Sequence, residues 1–235
     1  MSRLTISIFL FVTLLFVSCS SNEIGSSKDV NPETIWFDYQ LSGEEGVDDM
    51  TVMLQFRFAG ENGTTLVLDP PSKVELDREL IKGDSSKMTG AFYEIMKPVK
   101  EFAGKHTITF TDINKKEYKE EFSFQPISLI AEVPKEIERG DLVFELNGLN
   151  HEDYVRVLLT DTAFRSEGIN RVDTVRNGRI IISKKDLENV VNGPVQLELI
   201  KEDEKPVKSK TAEGGRISIS YGLKRLFTLK DASTP

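Results

Sequence analysis

Apolar side chains recur with a period of two along most of the chain after residue 32. In the first such run, Ile35, Phe37 and Tyr39 stand at every second position. This period places alternate side chains on opposite faces of a β-strand, with one face buried and the other mostly wet. Further runs of this kind cover residues 50–58, 64–68, 106–111, 118–124, 141–146, 154–160, 195–200 and 216–229. No long helical period competes with them, so the pattern predicts an all-β fold.

Two Asn-Gly dipeptides predict tight turns. Asn62-Gly63 follows the run 50–58, and Asn177-Gly178 lies between residues 171–176 and 179–183. Because Asn-Gly readily adopts the positive φ angles of a tight turn, each dipeptide predicts a β-hairpin. Two short helices are the exceptions to the strand pattern. Residues 86–96 favour a turn or two of helix, and Ser183 with Asp186 is typical of a capped helix start that would run to Val190.

A weak internal repeat divides the body of the chain in two. The residues Phe102, Gly104, His106, Ile108 and Phe110 have the same spacing as Val191, Gly193, Val195, Leu197 and Leu199. A turn, a glycine and an alternating strand resemble the corner before a late strand of immunoglobulin-like domains, which contain about 100 residues each. We therefore predict two tandem immunoglobulin-like β-sandwich domains at 33–126 and 127–230, with a tail at 231–235. One long sandwich is the alternative.

The N-terminal segment is apolar and ends at a serine and a cysteine. Arg3 precedes an uncharged apolar stretch over residues 4–17, which is short for a membrane-spanning helix of about 20 residues. The next residues are Ser18 and Cys19, and Cys19 is the chain's single cysteine. Together these residues resemble the signal sequence and lipobox of bacterial lipoproteins. The resemblance implies a signal peptide at 1–18 and acylation of Cys19. A plain cleaved signal or an uncleaved anchor is the alternative.

Residues 19–32 are rich in serine and predict a flexible, lipidated tether. By the same resemblance we expect the protein in the cell envelope as an outer-membrane lipoprotein. It would face either the periplasm or the cell surface, and the membrane is its first partner through the lipid anchor.

Composition excludes several classes of function. The net charge of −8, from 38 acidic and 30 basic residues, offers no basic face for a nucleic-acid backbone, so we expect no nucleic-acid partner. One cysteine and two histidines rule out a disulfide framework within the chain and most zinc sites. We expect no cofactor and no metal.

The chain contains no catalytic motif, so we assign no catalytic residue and expect a protein that is not an enzyme. His106 is interpreted as a structural side chain at the edge of the core, and His151 as part of a polar loop. Asp161 and Asp173 are predicted to lie at one rim of a loop, where carboxylates could bind calcium but capping of turns is favoured.

Trp36 is the chain's single tryptophan and falls on the face opposite Ile35 and Phe37. An outward aromatic ring can stack on a sugar or anchor a protein contact, so Trp36 is our candidate ligand contact. Packing against the second domain or a sheet edge is the other interpretation.

In the last strand, Gly222 predicts a bulge, because continued alternation would turn Arg225 inward. The alternative is a strand that leaves its sheet and presents Lys224 and Arg225 to a partner.

These features predict a non-enzymatic binding or adhesion module of the cell envelope with a protein or glycan partner. A periplasmic structural accessory of an envelope transport or secretion assembly is the second hypothesis. A hydrolase with paired carboxylates in a cleft beside Trp36 is the third. The resemblance to lipoproteins with tandem immunoglobulin-like domains is architectural and supplies no active-site residue.

Overall fold

The computed structural model describes residues 24–150 and 153–231. Strands dominate this part of the chain, which confirms the predicted all-β class; two 3-10 turns, Ser27–Asp29 and Pro32–Thr34, are its helical segments. The signal segment, Cys19 and His151 lie outside the described residues. Within the described part, no helix has the length and apolar character needed to cross a membrane.

Eighteen strands follow one another along residues 24–150 and 153–231. They are β1 (Ile24–Ser26), β2 (Ile35–Glu44), β3 (Asp49–Phe58), β4 (Thr64–Val67), β5 (Lys73–Leu76), β6 (Glu79–Leu80), β7 (Gly83–Ser86), β8 (Gly90–Pro98), β9 (Gly104–Thr111), β10 (Glu117–Phe124), β11 (Ser128–Leu129), β12 (Glu136–Glu138), β13 (Leu142–Asn147), β14 (Tyr154–Asp161), β15 (Ile169–Thr174), β16 (Arg179–Ile182), β17 (Gly193–Pro206) and β18 (Gly215–Lys230).

Strands β2 to β10 form a first sandwich unit. One sheet has the order β2-β3-β8-β7, and β4 also pairs with β3 and carries β1 on its other side. The facing sheet has the order β10-β9-β5-β6. Apolar residues at alternate positions meet between the sheets, where the rings of Phe37, Phe56 and Phe110 are in mutual contact with centroids 4.5 to 5.8 Å apart. Burial of these aromatic side chains contributes to the stability of this unit.

The second unit repeats the strand order of the first. Its sheets are β11-β13-β16 and β18-β17-β14-β15. In the first unit β2, β3 and β8 share one sheet, and β5, β9 and β10 share the other. In the second unit β11, β13 and β16 take the places of the first three strands, and β14, β17 and β18 those of the other three. This is the division of strands between sheets that immunoglobulin domains have. The predicted sequence repeat falls on equivalent strands, because β9 and β17 begin at Gly104 and Gly193 with φ angles of 134° and 130°.

The C-terminal hairpin joins the two units. Strands β17 and β18 stay paired from Gly193 opposite Leu229 to Pro206 opposite Arg216. Near its turn, β18 also pairs in parallel with β2, from Gly215 opposite Phe37 to Gly222 opposite Glu44. One sheet therefore runs through both units, and residues assigned to the second domain complete the first. The boundary between 126 and 127 stays a prediction.

The hairpin turn is held inside the first unit by several hydrogen bonds. The Lys208 N–H donates to the buried carboxylate of Glu120 at 2.6 Å, and the Thr211 hydroxyl donates to the Ile35 carbonyl at 2.6 Å. The Val207 side chain is fully buried nearby. The turn thus closes the gap between β2 and β10, and the first unit is incomplete without it.

The predicted bulge at Gly222 is wrong. Because the register of β17 with β18 is unbroken, Arg225 does face inward with Leu223 and Phe227. Arg225 lies at the seam between the two cores, where its guanidinium pairs with Glu45 of the first unit. The hydrogen bond from Arg225 to Glu45 outweighs burial and raises the pKa of the guanidinium. Arg225 faces inward without a bulge because its position between the two cores offers a polar partner, the Glu45 carboxylate.

Neither predicted helix forms. Residues 86–96 belong to the hairpin of β7 and β8, with Ser86 opposite Gly90. After β16 the chain makes turns without an α-helix, although Ser183 and Asp186 form the expected reciprocal hydrogen bonds. In both segments pairing or packing with the rest of the fold outweighs a weak local preference for helix.

Two further predictions are corrected in part. Asn177-Gly178 does adopt positive φ angles of 53° and 72°, but β15 pairs with β14 while β16 pairs with β13, so the turn connects two sheets.

The flexible tether does not extend to residue 32, because β1 pairs in parallel with β4. The buried Ser27 hydroxyl accepts the Asp69 N–H at 2.9 Å and fixes the segment that follows.

A candidate binding cleft between the two units

A cleft with a volume of about 840 Å³ separates the two units on one side of the molecule. On one side it is bordered by the β9–β10 edge of the first unit, and on the other by β17 and the start of β14. We call it the central cleft. Its lining residues are Lys105, His106, Thr107, Glu121, Phe122, Ser123, Phe124, Gln125, Asn150, Asp153, Tyr154, Lys201, Glu202, Asp203, Lys205, Lys208, Ile219 and Tyr221.

Strand ends position the polar groups of the central cleft. β14 pairs with β17 only as far as Lys201, so the following residues of β17 present an unpaired edge. β10 is likewise the outer strand of its sheet. Two strand edges therefore face the cleft with backbone N–H and C=O groups available for hydrogen bonds.

The floor of the central cleft is aromatic and continuous with the core. Phe122, Phe124 and Tyr221 are all buried, and the rings of Phe124 and Tyr221 meet edge to face at 5.7 Å. The rim differs, because the Tyr154 side chain is 60% exposed. An exposed ring beside hydroxyl and amide groups is suited to stack on a ligand while neighbouring polar atoms orient it.

Most charges of the central cleft are paired. Lys201 Nζ lies 2.8 Å from Asp153 Oδ2, and Lys205 Nζ lies 3.0 Å from Asp203 Oδ2. Burial raises the pKa of Asp153, but hydrogen bonds from Lys201 and the Asn150 N–H outweigh it, so the pKa falls below its usual value. Within the described part of the chain, Lys105 and Lys208 have no carboxylate partner. Their ammonium groups are available to a ligand.

His106 lies at the edge of the central cleft and serves the fold. Its Nδ1 is 2.7 Å from Asp77 Oδ2, and its Nε2 is 2.7 Å from the Phe102 carbonyl oxygen. Each ring nitrogen therefore lies within hydrogen-bond distance of an acceptor group of the fold. The ring also stacks on Phe102 at 4.0 Å. These contacts agree with the interpretation of His106 as a structural residue at the core edge.

Trp36 lies outside the central cleft, on the outer face of β2. It lines a separate hollow of about 420 Å³ with Glu61, Glu213 and Arg216 among its neighbours. The ring packs against the hairpin turn, where a Cβ added to Gly214 would lie 3.3 Å from it. Within the described residues the Trp36 Nε1 is buried without a hydrogen-bond partner. The role of Trp36 as a ligand contact stays a prediction.

The paired carboxylates predicted at one loop rim are far apart. Asp161 ends β14, whereas Asp173 lies opposite Val155 near the start of the same strand, about 20 Å away along the strand. Asp161 caps its loop, since it accepts the N–H groups of Ala163, Arg165 and Ser166. This confirms the turn-capping interpretation for Asp161. Asp173 instead binds Arg171 at 2.9 Å.

Among the described residues, no group of three or more His, Cys, Asp or Glu side chains is arranged to hold a metal ion. The carboxylate of Glu61 beside Trp36 is paired with Arg216. An ion-paired carboxylate is poorly suited to the general acid of a glycosidase, which needs a raised pKa.

Sequence reasoning missed the central cleft because its walls are distant in the chain. Lys105 and Lys208 belong to different predicted domains, and the bridging hairpin alone brings them to one site. One local signal was available. Tyr154 precedes the alternating buried residues Val155, Val157 and Leu159, so its aromatic ring lies on the solvent-exposed face of the strand.

No protein-family model and no curated protein matches the sequence. Among solved structures, a tetra-tandem repeat from the extending region of a large adhesion protein is similar, with 13% identity and a TM-score of 0.27. The match covers 77% of this chain and 56% of that chain, so this chain spans little more than half the length of that structure. Fibronectin(III)-like modules of Clostridium thermocellum CbhA match with 11% identity over 86% and 99% of the two chains and a TM-score of 0.24. The adhesin InvE of Yersinia pseudotuberculosis matches with 8% identity over 81% and 59%, at a TM-score of 0.22.

Proposed function

We propose that this protein is a non-enzymatic, lipid-anchored binding module of the bacterial cell envelope, and that the central cleft receives a glycan. The observation that carries the proposal is the composition of that cleft. An exposed tyrosine ring, unpaired lysines, amide and hydroxyl side chains and two free strand edges converge on about 840 Å³. Such a lining offers aromatic stacking and many hydrogen bonds and is more polar than apolar, which suits a hydroxyl-rich ligand.

The interlocked hairpin supports a binding role because it fixes the two walls of the cleft. β17 and β18 run unbroken through both units, and the hairpin turn is hydrogen-bonded to the first unit. A preformed site loses little conformational entropy when it binds. The ammonium groups of Lys105 and Lys208 would favour a glycan that carries carboxylate or sulfate groups.

Glycan-array binding of the mature chain tests this function. The Tyr154→Ala variant should lose most binding, and Tyr154→Phe should keep it, because stacking needs the ring and not the hydroxyl. Lys105→Ala combined with Lys208→Ala should weaken binding to acidic glycans selectively. Lys184→Ala with Lys185→Ala, at exposed sites outside the cleft, is the matched control. Failure of every glycan class to bind, or equal binding by all variants, would reject the proposal.

The membrane anchor is a separate part of the proposal and has its own test. Four residues separate Cys19 from β1, so an acylated Cys19 would hold the start of β1 within about 20 Å of the membrane. Cys19→Ala should leave the protein unanchored or unprocessed. Membrane fractionation and the N-terminal mass check this expectation, and an unchanged mass in the variant would contradict it.

A structural accessory on the periplasmic side is the second candidate. The observation in its favour is the length of the hairpin, which spans about 45 Å without a break in pairing. Protease digestion of intact and lysed cells distinguishes the candidates. Digestion on intact cells supports a surface binding module, and protection until lysis supports the accessory.

A further inference from the structure

The second unit contains an open strand edge beside an acidic groove. The groove has a volume of about 540 Å³ and lies between β13 and the segment that connects β11 to β12. We call it the β13 groove. Its apolar lining residues are Leu129, Ala131, Val133, Pro134, Ile137, Leu142, Val143 and Phe144. Its charged lining residues are Glu132, Glu136, Glu138, Asp141 and Glu145, with no lysine or arginine among them. Two of these carboxylates are ion-paired with basic residues beside the groove, Glu136 with Lys230 and Glu145 with Arg179.

The edge is open because β11 ends early. β11 pairs with β13 through Ser128 and Leu129, and the Ile130 N–H then donates to the Glu145 carbonyl. Beyond Ile130 the chain turns away toward β12, which pairs with β18 of the other sheet. The backbone of Val143 is therefore left without a strand on the groove side.

The side to which the Val143 N–H and C=O groups point follows from the hydrogen bonds of its neighbours, because successive residues of a strand direct these groups to opposite sides. The Leu146 N–H donates toward β16, to the Gly178 carbonyl, so Phe144 and Leu142 direct their backbone groups to the same side. The intervening residues Val143 and Glu145 direct theirs toward β11. Glu145 is bonded there by Ile130, and among the described residues no backbone partner of Val143 occupies that side.

The surface next to this edge is apolar as well. Val143 and Ile181 are cross-strand partners on the outer face of the sheet and are 51% and 53% exposed. A strand added beside Val143 would cover its side chain and complete the ladder that β11 begins. Apolar side chains on the other face of the added strand would enter the groove above Leu142 and Phe144.

From these observations we infer that the β13 groove binds an extended basic segment of a partner protein, which adds to the sheet antiparallel to β13. Backbone hydrogen bonds to Val143 supply the pairing, and the apolar floor accepts alternate side chains. The acidic rim selects lysine or arginine at the remaining positions. This site is separate from the central cleft and does not depend on the proposed glycan function.

A short peptide of alternating lysine and valine, labelled for fluorescence anisotropy, probes the groove in the full mature chain. We expect saturable binding that weakens with salt, and no binding of the matched glutamate-valine peptide. Glu132→Lys combined with Glu136→Lys should weaken binding on the order of tenfold. Glu94→Lys with Glu101→Lys, two exposed sites in the first unit, is the control and should leave the affinity unchanged.

Hydrogen exchange tests the strand pairing itself. The Val143 amide should exchange rapidly in the free chain and slowly with the lysine-valine peptide bound. Val143→Pro removes this N–H at an unpaired position and should abolish binding while the far-ultraviolet circular dichroism stays unchanged. Three results would overturn the inference: protection of the Val143 amide in the free chain, equal binding of both peptides, or binding that the groove charge reversals leave intact.

Discussion

At the residue scale, two buried polar contacts in this protein have specific partners and are expected to make measurable contributions to stability. Asp161 is the first case, because its carboxylate accepts hydrogen bonds from three backbone N–H groups and from the Ser166 hydroxyl at the end of β14. The hydrogen bond from the Ser166 hydroxyl and those from the backbone lower the pKa of Asp161 from 3.8 to about 2. Tyr93 is a second case, since its hydroxyl accepts the buried Leu68 N–H at 2.6 Å.

We predict that Asp161→Asn destabilises the protein at neutral pH and that its deficit shrinks in acid. A carboxyl group with a lowered pKa stabilises the fold above its unfolded value of 3.8, and this stabilisation is lost as the pH falls through about 2. Urea denaturation of both proteins between neutral pH and pH 2 measures the difference. Asp84→Asn, at an exposed position, should match the wild type throughout. A deficit for Asp161→Asn that is constant down to pH 2 would refute the assignment.

Tyr93→Phe is expected to lower the free energy of unfolding by about 1–3 kcal/mol, because it leaves the buried Leu68 N–H without an acceptor. Tyr154→Phe removes the same hydroxyl from an exposed ring and should change stability by less than about 0.5 kcal/mol. Chemical denaturation of the two variants provides the comparison. Equal stability of the two would show that the Leu68 contact contributes nothing.

At the scale of elements, the C-terminal hairpin determines how the units are joined. Its turn-proximal half pairs with β2, and this close pairing depends on a small residue at the start of β18. A Cβ on Gly215 would lie 2.6 Å from the Phe37 carbonyl oxygen and 2.7 Å from the Phe37 Cβ. A Cβ on Gly222, at the other end of the same pairing, would meet its nearest atoms at 3.9 Å.

The two glycines supply a matched pair of variants. Gly215→Ala should cost about 1–3 kcal/mol of stability, since the added methyl group forces β18 away from β2. Gly222→Ala should be neutral or slightly stabilising, because the new methyl group fits and the unfolded chain loses freedom. Thermal unfolding of both variants checks the contrast. Similar midpoints would argue against tight pairing of β18 with β2.

At the scale of the whole molecule, the interlocked hairpin makes the two units one cooperative system. Residues 207–222 form the turn and the first half of β18 in the hairpin of the second unit, yet they complete the core and the sheet of the first. Trp36 packs against the hairpin turn at the far end of the first unit and is the chain's single tryptophan. Its fluorescence therefore reports on the first unit and on its contact with the hairpin.

We predict that damage to the second core unfolds the first. Leu159 is fully buried in the second unit, and Leu159→Ala should cost about 2–5 kcal/mol. The Trp36 fluorescence transition in denaturant should shift by the same amount as the circular dichroism transition, because the units unfold together. A Trp36 transition that stays at its wild-type midpoint would mean that the first unit unfolds on its own.

The sequence by itself determined the all-β class, the repeated glycine that begins β9 and β17, and most strand positions. These follow from a period of two and from turn residues, which are local properties that each segment carries wherever it packs. The same local reasoning was wrong for residues 86–96 and for Gly222, where pairing with distant strands overrides a weak local preference.

Tertiary structure alone decided how the units are joined and where the candidate sites lie. Lys105 and Lys208 share a cleft because β18 pairs with β2, and no periodicity along the chain encodes a pairing between its two ends. Likewise, the alternation in β13 predicts a strand but does not tell which side of it lacks a neighbour. A strand's partners depend on the free energy of the assembled sheet, whereas its pattern depends only on which face is buried.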